Sequence, residues 1–394
     1  MSSTPATDYR LRREMALLVG AQGGVHACMS GVRLAVPLLT LEQGHGPAVA
    51  GALVAVFGLA QMLLSMPAGR MAERHGVKLP VIWGAVLAVF GALIAAAWPA
   101  VPGLVLAAVC EGAAIAVVVV AVQRQAGRLA RNPDEVRQAF AWASFTPAAS
   151  NFVGPAFAGV AIDTFGFRVA FLLLALGPMI SWVVVRATLE LPQPAAPKTQ
   201  TRSSAWALWH DAPVRRVLMM NWFVSATWEV HGVMVPLIGH ARDLSASAIG
   251  GILASIAITA ALVRLLAPWL GARVREWILI TGALLIAAAA LTLYPFMHSA
   301  LAMGACSMLL GMSIGGVQPL VMGLLHQMAP PHQRAQAVAL RLILINASSI
   351  SMPLLAGAAG GLVGVSSVFF VTAALMLAGA RMATGLRHMT VPPH

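Results

Sequence analysis

The feature that most constrains this chain is a series of long apolar stretches that are nearly free of charge. They cover roughly residues 15–41, 49–71, 79–99, 102–124, 138–161, 169–189, 217–240, 247–271, 277–297, 299–325, 337–360 and 366–386. Each is close to the ~20 residues that a helix needs to cross a hydrocarbon core about 30 Å thick. Hydrophobic residues make up 59% of the sequence and charged residues only 10%, which leaves too little polar surface to clothe a water-soluble fold. Lipid offers no hydrogen-bond partners, so each stretch must satisfy its own backbone as a helix. The sequence predicts an all-α polytopic membrane protein with twelve transmembrane helices and the bilayer as its main partner.

The charges orient those helices. A net charge of +12 is compatible with nucleic-acid binding, but the basic residues cluster at the ends of apolar stretches and lack interleaved aromatics, so no nucleic-acid partner is expected. Arg10, Arg12 and Arg13 precede the first span, and Arg70, Arg74 and Lys78 separate the second from the third. Arg124, Arg128, Arg131 and Arg137 separate the fourth from the fifth, and Arg186, Lys198, Arg202, Arg215 and Arg216 the sixth from the seventh. Arg273, Arg275, Arg334, Arg381 and Arg387 continue the pattern, whereas the opposite connections hold only Arg168 and Arg242. The positive-inside rule then places both termini and the central loop in the cytoplasm. Residues 15–41 are too long for a signal-peptide core and carry no cleavage pattern, so a cleaved leader is not expected. Cys28, Cys110 and Cys306 all fall within spans, which argues against a disulfide framework.

The chain divides into a tail at 1–14, six spans over 15–189, a linker at 190–216, six spans over 217–386 and a tail at 387–394. The linker runs Leu191-Pro-Gln-Pro-Ala-Ala-Pro-Lys-Thr-Gln-Thr-Arg-Ser-Ser204, a flexible composition. A shift of 198 places Pro155 on Pro353, Gly159 on Gly357, Phe171 on Phe369 and Ala139 on Ala337. Such a repeat is expected of transporters built from two parallel halves.

The second-to-third connection reads Gly69-Arg-Met-Ala-Glu73-Arg74-His-Gly76-Val-Lys78. It resembles the cytoplasmic signature of the major facilitator superfamily, Gly-x-x-x-Asp-Arg-x-Gly-x-(Arg/Lys), with Glu73 in place of the usual Asp. The resemblance implies a latch in which a glycine admits a neighbouring helix and an acid-base pair grips its end. Ser150-x-x-x-Gly154-Pro155-x-x-Ala158-Gly159 resembles the Gly-Pro motif of the antiporter branches, with Ala141 and Ser150 at positions that are usually glycine. Small residues and a proline there imply the packing about which such halves rock. Gly166-Phe-Arg168-x-x-Phe171 is similar to the short outer turn of many members, and Asp211-x-Pro213-x-Arg215 to the entry of span seven. The resemblance covers the whole chain and is nearest to twelve-span drug:proton antiporters. One departure is clear. Where many proton-coupled members carry Arg-x-x-Gln-Gly in span four, this chain has Ala108 at the arginine position and Glu111-Gly112 at the end.

Intramembrane ionisable residues are functional candidates because a charge in lipid is costly. Arg33, Glu111, Glu229, Arg264 and Arg341 are such residues, joined by His26 and His231. The resemblance implies that spans one, four, seven and ten line a central cavity, which makes His26, Arg33, Glu111, Trp222, Trp228, Glu229, His231 and Gln318 the substrate-cavity candidates. Estimated depth brings Arg33 and Glu111 to a similar level, where a pair either fixes helix register or contributes to binding. Glu229 has no obvious partner, because His231 lies about 200° round the same helix. A carboxyl isolated in low dielectric can carry a proton. Glu229 and then Glu111 are the proton-coupling candidates. Arg264 and Arg341 are expected to latch or snorkel, and Gln22 and Asn221 to make satisfied interhelical hydrogen bonds. Trp222 and Trp228 read either as an aromatic wall or as core packing.

Lys78 and Lys198 are the only lysines, and neither completes a phosphate-binding loop. There is no His-Glu-x-x-His metal motif, and no catalytic residues or cofactor are expected. The leading reading is a monomeric secondary transporter of the bacterial inner membrane that couples efflux of a small organic molecule to protons. An exporter of a specific organic anion, such as a siderophore, sugar acid or carboxylate, is the alternative within transport. A transport-dead sensor or an intramembrane enzyme is the alternative outside it.

Overall fold

A computed structural model describes residues 5–130, 133–192, 205–270, 275–330 and 333–387. Arg131, Lys198, Arg202, Arg273, most of the expected linker and both chain ends (1–4 and 388–394) lie outside them. The helices in chain order are α1 (Pro5–Glu42), α2 (Pro47–His75), α3 (Lys78–Ala97), α4 (Val101–Leu129), α5 (Pro133–Leu174) and α6 (Leu176–Arg186). After a short 3-10 turn come α7 (Ala212–His240), α8 (Ala246–Leu270), α9 (Glu276–Leu293), α10 (Ala300–Met328), α11 (Arg334–Leu362) and α12 (Val365–Thr384). Among the described residues, ten stretches are long and apolar enough to cross a membrane, with residues 145–186 forming one continuous stretch. α7 stands outside that set, because Asn221, Glu229 and His231 dilute its apolar character. Large apolar side chains such as Phe90, Phe157, Val183, Leu265 and Leu301 are exposed, as a lipid-facing surface requires.

The sequence places the fifth and sixth spans at 138–161 and 169–189. The structure instead runs helix through to Leu174, broken at Gly166, where φ is 79° and ψ 169°. A side chain there would be strained, so glycine lets one helix end and the next begin with no intervening loop. Gly364, between α11 and α12, has the same backbone (φ 87°, ψ 150°) and lies 198 residues further on. The helix boundaries repeat at the same interval. Glu42 and His240, Lys78 and Glu276, and Arg186 and Thr384 are each 198 residues apart, and Pro47 and Ala246, Val101 and Ala300, and Leu129 and Met328 each 199.

The chain forms two compact units. Unit 1 holds residues 1–43, 56–198 and 245–250, and unit 2 holds 44–55, 199–244 and 251–394. In unit 1, α1 packs along α5 and α6, and α3 along α4 and α6. The contact is close because the residues are small. A Cβ on Gly154 would meet Ser30 Oγ and come within 2.5 Å of the Ala27 carbonyl, and one on Gly177 within 2.7 Å of the Gly24 carbonyl. Unit 1 also holds the first turn of α8, where a Cβ on Gly159 would lie 2.8 Å from Ser247 Cα and one on Gly250 would meet the Pro155 carbonyl. Unit 2 makes the matching contact with the first turns of α2. A Cβ on Gly357 would lie 2.7 Å from the Pro47 carbonyl, and one on Gly51 would meet the Pro353 carbonyl. Elsewhere in unit 2, α7 packs on α10, α11 and α12, and α9 on α10 and α12.

Candidate functional site

Glu111 sits on α4 of unit 1, with none of its surface exposed. Gly91 of α3 leaves room for its stem, since a Cβ there would touch Glu111 Cγ at 3.4 Å, and Gly112 lets α2 approach the other side at Phe57. The Cys28 thiol of α1 donates to Glu111 Oε1 at 3.3 Å, while Oε2 has no partner. The Arg33–Glu111 pair that their similar depth allowed is not formed. Depth alone did not fix the direction: Cys28 faces α4, and Arg33, five residues later, points about 140° away round α1. Arg33 shares a stripe of α1 with Gln22 and His26 instead. The amide of Gln22 and Nδ1 of His26 are buried without partners, so Gln22 is not the satisfied bridge that the sequence led us to expect.

Unit 2 concentrates its polar groups between α7 and its neighbours. Ser349 Oγ of α11 donates to Glu229 Oε1 at 2.9 Å, so Glu229 has a hydrogen-bond partner after all, though it is not His231. His231 Nε2 lies 2.8 Å from Ser307 Oγ of α10, and Tyr294 Oη lies 2.9 Å from the same hydroxyl. Tyr294 stacks on Phe369 with centroids 4.7 Å apart. One turn or more toward the start of α7, Arg341 Nε donates to Asn221 Oδ1 at 3.0 Å. On α8, Arg264 Nη2 donates to Gln318 Oε1 at 3.0 Å. Each of these two arginines reaches a neighbouring helix, where an amide oxygen accepts from it. Trp222 and Trp228 are half-buried on α7, with Trp222 tilted against Phe223 at 5.7 Å.

The two sequence motifs fare differently. Ser30 Oγ donates to the Ser150 carbonyl at 2.9 Å and Ser150 Oγ to the Gly23 carbonyl at 3.2 Å, which ties the packing motif of α5 to α1. Around the second-to-third connection, a Cβ on Gly69 would meet nothing within 4 Å, and Glu73 and Arg74 are exposed. The close approach expected at Gly69 is absent from this structure. Lys78 does bind, with Nζ donating to the Arg186 carbonyl at 3.1 Å. The acid at this end is Glu190, which the sequence reading passed over. Its two oxygens accept from the backbone N–H groups of Val77 (2.7 Å) and Lys78 (3.2 Å), the first turn of α3. A helix starting directly after Gly76 leaves such donors free for an anion, and that was the available signal. Glu14 plays a similar part, accepting from the Leu189 N–H at 2.7 Å. Asp211 caps α7 by accepting from the Val214 N–H at 3.4 Å, ahead of Pro213, as its motif implied.

A multi-pass helical protein whose two units repeat one plan of helices around buried ionisable side chains has the build of a membrane solute carrier. The chain belongs to the major facilitator superfamily, whose family model matches residues 18–227 and 217–394. Solved structures of transporters share the fold. A POT family transporter bound to a thioalcohol-conjugated peptide aligns with a TM-score of 0.77 at 14% identity, covering 96% of both chains. An inward-facing bacterial homolog of the human lysosomal transporter Spinster aligns at 0.76 and 14%, covering 97% of both. The nucleoside transporter NupG aligns at 0.75 and 12%, covering 96% of this chain and all of that one. No curated protein matches the chain by sequence.

Proposed function

We propose that this protein is a proton-coupled secondary transporter that exports a small organic molecule across the bacterial inner membrane by alternating access, working as a monomer. The observation that carries the reading is Glu111: a fully buried carboxyl in mid-helix, with one thiol donor and one oxygen left without a partner. Taking up and releasing a proton is the chemistry open to a carboxyl in that setting, since ionisation without water or a cation is costly. Glu229, with its serine partner, is the second carrier. The reading of twelve crossings is supported by Gly166, which divides a stretch of 42 residues, ~63 Å of helix and twice a bilayer, and by α7, whose 29 residues reach ~44 Å. An even number puts both termini on one side, and the placement of the basic residues favours the cytoplasm. The exposed Glu73 and Arg74 form the cytoplasmic latch in the other conformation of the cycle.

The test uses proteoliposomes with an imposed pH gradient. The wild-type protein is expected to drive substrate against its gradient, whereas Glu111→Gln retains substrate counterflow and loses gradient-driven accumulation. Full coupled transport by Glu111→Gln would remove Glu111 as the carrier, and counterflow with no response to pH in the wild type would remove proton coupling altogether.

A further inference from the structure

Two arginines of unit 2 lie on adjoining helix seams, with no acid paired to either among the described residues. Gly311 and Gly315, four apart on α10, bring α8 so near that a Cβ on Gly315 would sit 2.6 Å from Ala260 Cα. One turn beyond Ala260 is Arg264, and three residues beyond Gly315 is Gln318, so this seam delivers the Arg264–Gln318 hydrogen bond. α7 packs on both α10 and α11, and on its α11 side Asn221 holds Arg341. α10 also packs on α11, so Arg264 at the α8–α10 seam and Arg341 at the α7–α11 seam lie on adjoining helices. All four residues are therefore gathered at one level, ~10–15 Å from the nearer ends of α7, α10 and α11.

The partners of both guanidiniums are neutral amides, and neither arginine is ion-paired to a carboxylate among the described residues. Half-buried cations are ordinarily paired, because desolvation without a counter-charge is unfavourable. Two further donors are left over. Asn221 is 99% buried, with 1% of its surface exposed, and its Nδ2 has no partner; Arg264 Nε is buried and likewise unpartnered. Since Asn221 Oδ1 faces Arg341, its amide nitrogen is held within a few ångströms of that guanidinium. The cluster thus offers N–H donors and positive charge and lacks the acceptor that would complete it. We propose that Arg264 and Arg341, with the amide of Asn221, form an anion-binding subsite that takes the carboxylate or phosphate oxygens of the transported solute. Planar guanidiniums match such oxygens in pairs, which a simple point charge does not. The inference rests on the transport reading above and narrows its substrate to organic anions.

The experiment measures binding rather than transport, on the full chain in nanodiscs of phosphatidylcholine. Titration calorimetry with acetate, succinate, citrate and glycerol 3-phosphate is compared with tetraphenylphosphonium as the cationic probe. At least one anion is expected to bind, with affinity falling as salt is added. Arg264→Gln and Arg341→Gln should each weaken it by about tenfold or more. Should either fail to fold, Arg264→Lys and Arg341→Lys keep the charge but lose the planar fork, and a smaller loss of affinity is expected. Binding of the cation alone, no anion binding at all, or anion affinity unchanged by all four substitutions would overturn the proposal. So would thermal stabilisation by phosphatidylglycerol discs with no solute binding, which would make the arginines a lipid contact. If the wild type binds the anion while Glu111→Gln transports with full coupling, proton coupling through Glu111 fails and the subsite stands.

Discussion

The pairs α1/α5 and α7/α11 have the same geometry and opposite chemistry. Ser30 meets Ser150, Asn221 meets Arg341 and Glu229 meets Ser349, each across 120 residues, so both pairs run parallel in the same register. Along α1/α5 the helices close on glycine and serine. At a shift of 198, Gly31 and Gly154 of that pair are replaced by Glu229 and Met352, and Gly24, which closes on α6, by Trp222. The second copy has therefore exchanged backbone contact for side chains with aromatic, acidic and soft apolar character. One copy of the plan is built for close packing. The other keeps enough separation between helices to hold functional groups.

Substitutions at equivalent positions sharpen this contrast. Gly154→Leu should have the largest effect, abolishing monodisperse protein in detergent size-exclusion chromatography, because its first added carbon already meets Ser30 and Ala27. Met352→Leu at the matching site should cost under about 1.5 kcal/mol. Equal damage at both would break the comparison. Gly159→Val and Gly357→Val should then behave alike, each costing roughly 1–3 kcal/mol in thermal unfolding, since both face the first turn of a repeat-related helix. Asn221→Ala leaves the Arg341 Nε without its acceptor and should cost about 1–3 kcal/mol. Glu190→Gln should be smallest, at roughly 0.3–1 kcal/mol, and its effect on melting temperature should shrink in high salt.

Much of the fold was legible because its signals are local or periodic. Apolar length set the helices, and Pro155, Gly159, Pro353 and Gly357 disclosed the repeat before any coordinates did. Gly166 was read as a turn, but the sequence could not show that helix would continue on both sides of it. The candidate site was legible in composition only. Intramembrane charge marked Glu111, Glu229, Arg264 and Arg341, but partners depend on direction round each helix and on which helices adjoin. For that reason Cys28 rather than Arg33 reached Glu111, and Gln318 and Asn221 took the two arginines. Glu190 was missed for a related cause: free donors at the start of α3 were readable, but the acid that caps them lies 112 and 113 residues away.

The proposed transport cycle turns on a carboxyl that gains and loses a proton within the membrane. Infrared difference spectroscopy of lipid-reconstituted protein across a pH titration tests this without a known substrate. A protonated-carboxyl band is expected that changes with pH and is missing from Glu111→Gln but present in Cys110→Ser. An identical set of bands in wild type and Glu111→Gln, or no titrating carboxyl in either, would contradict it.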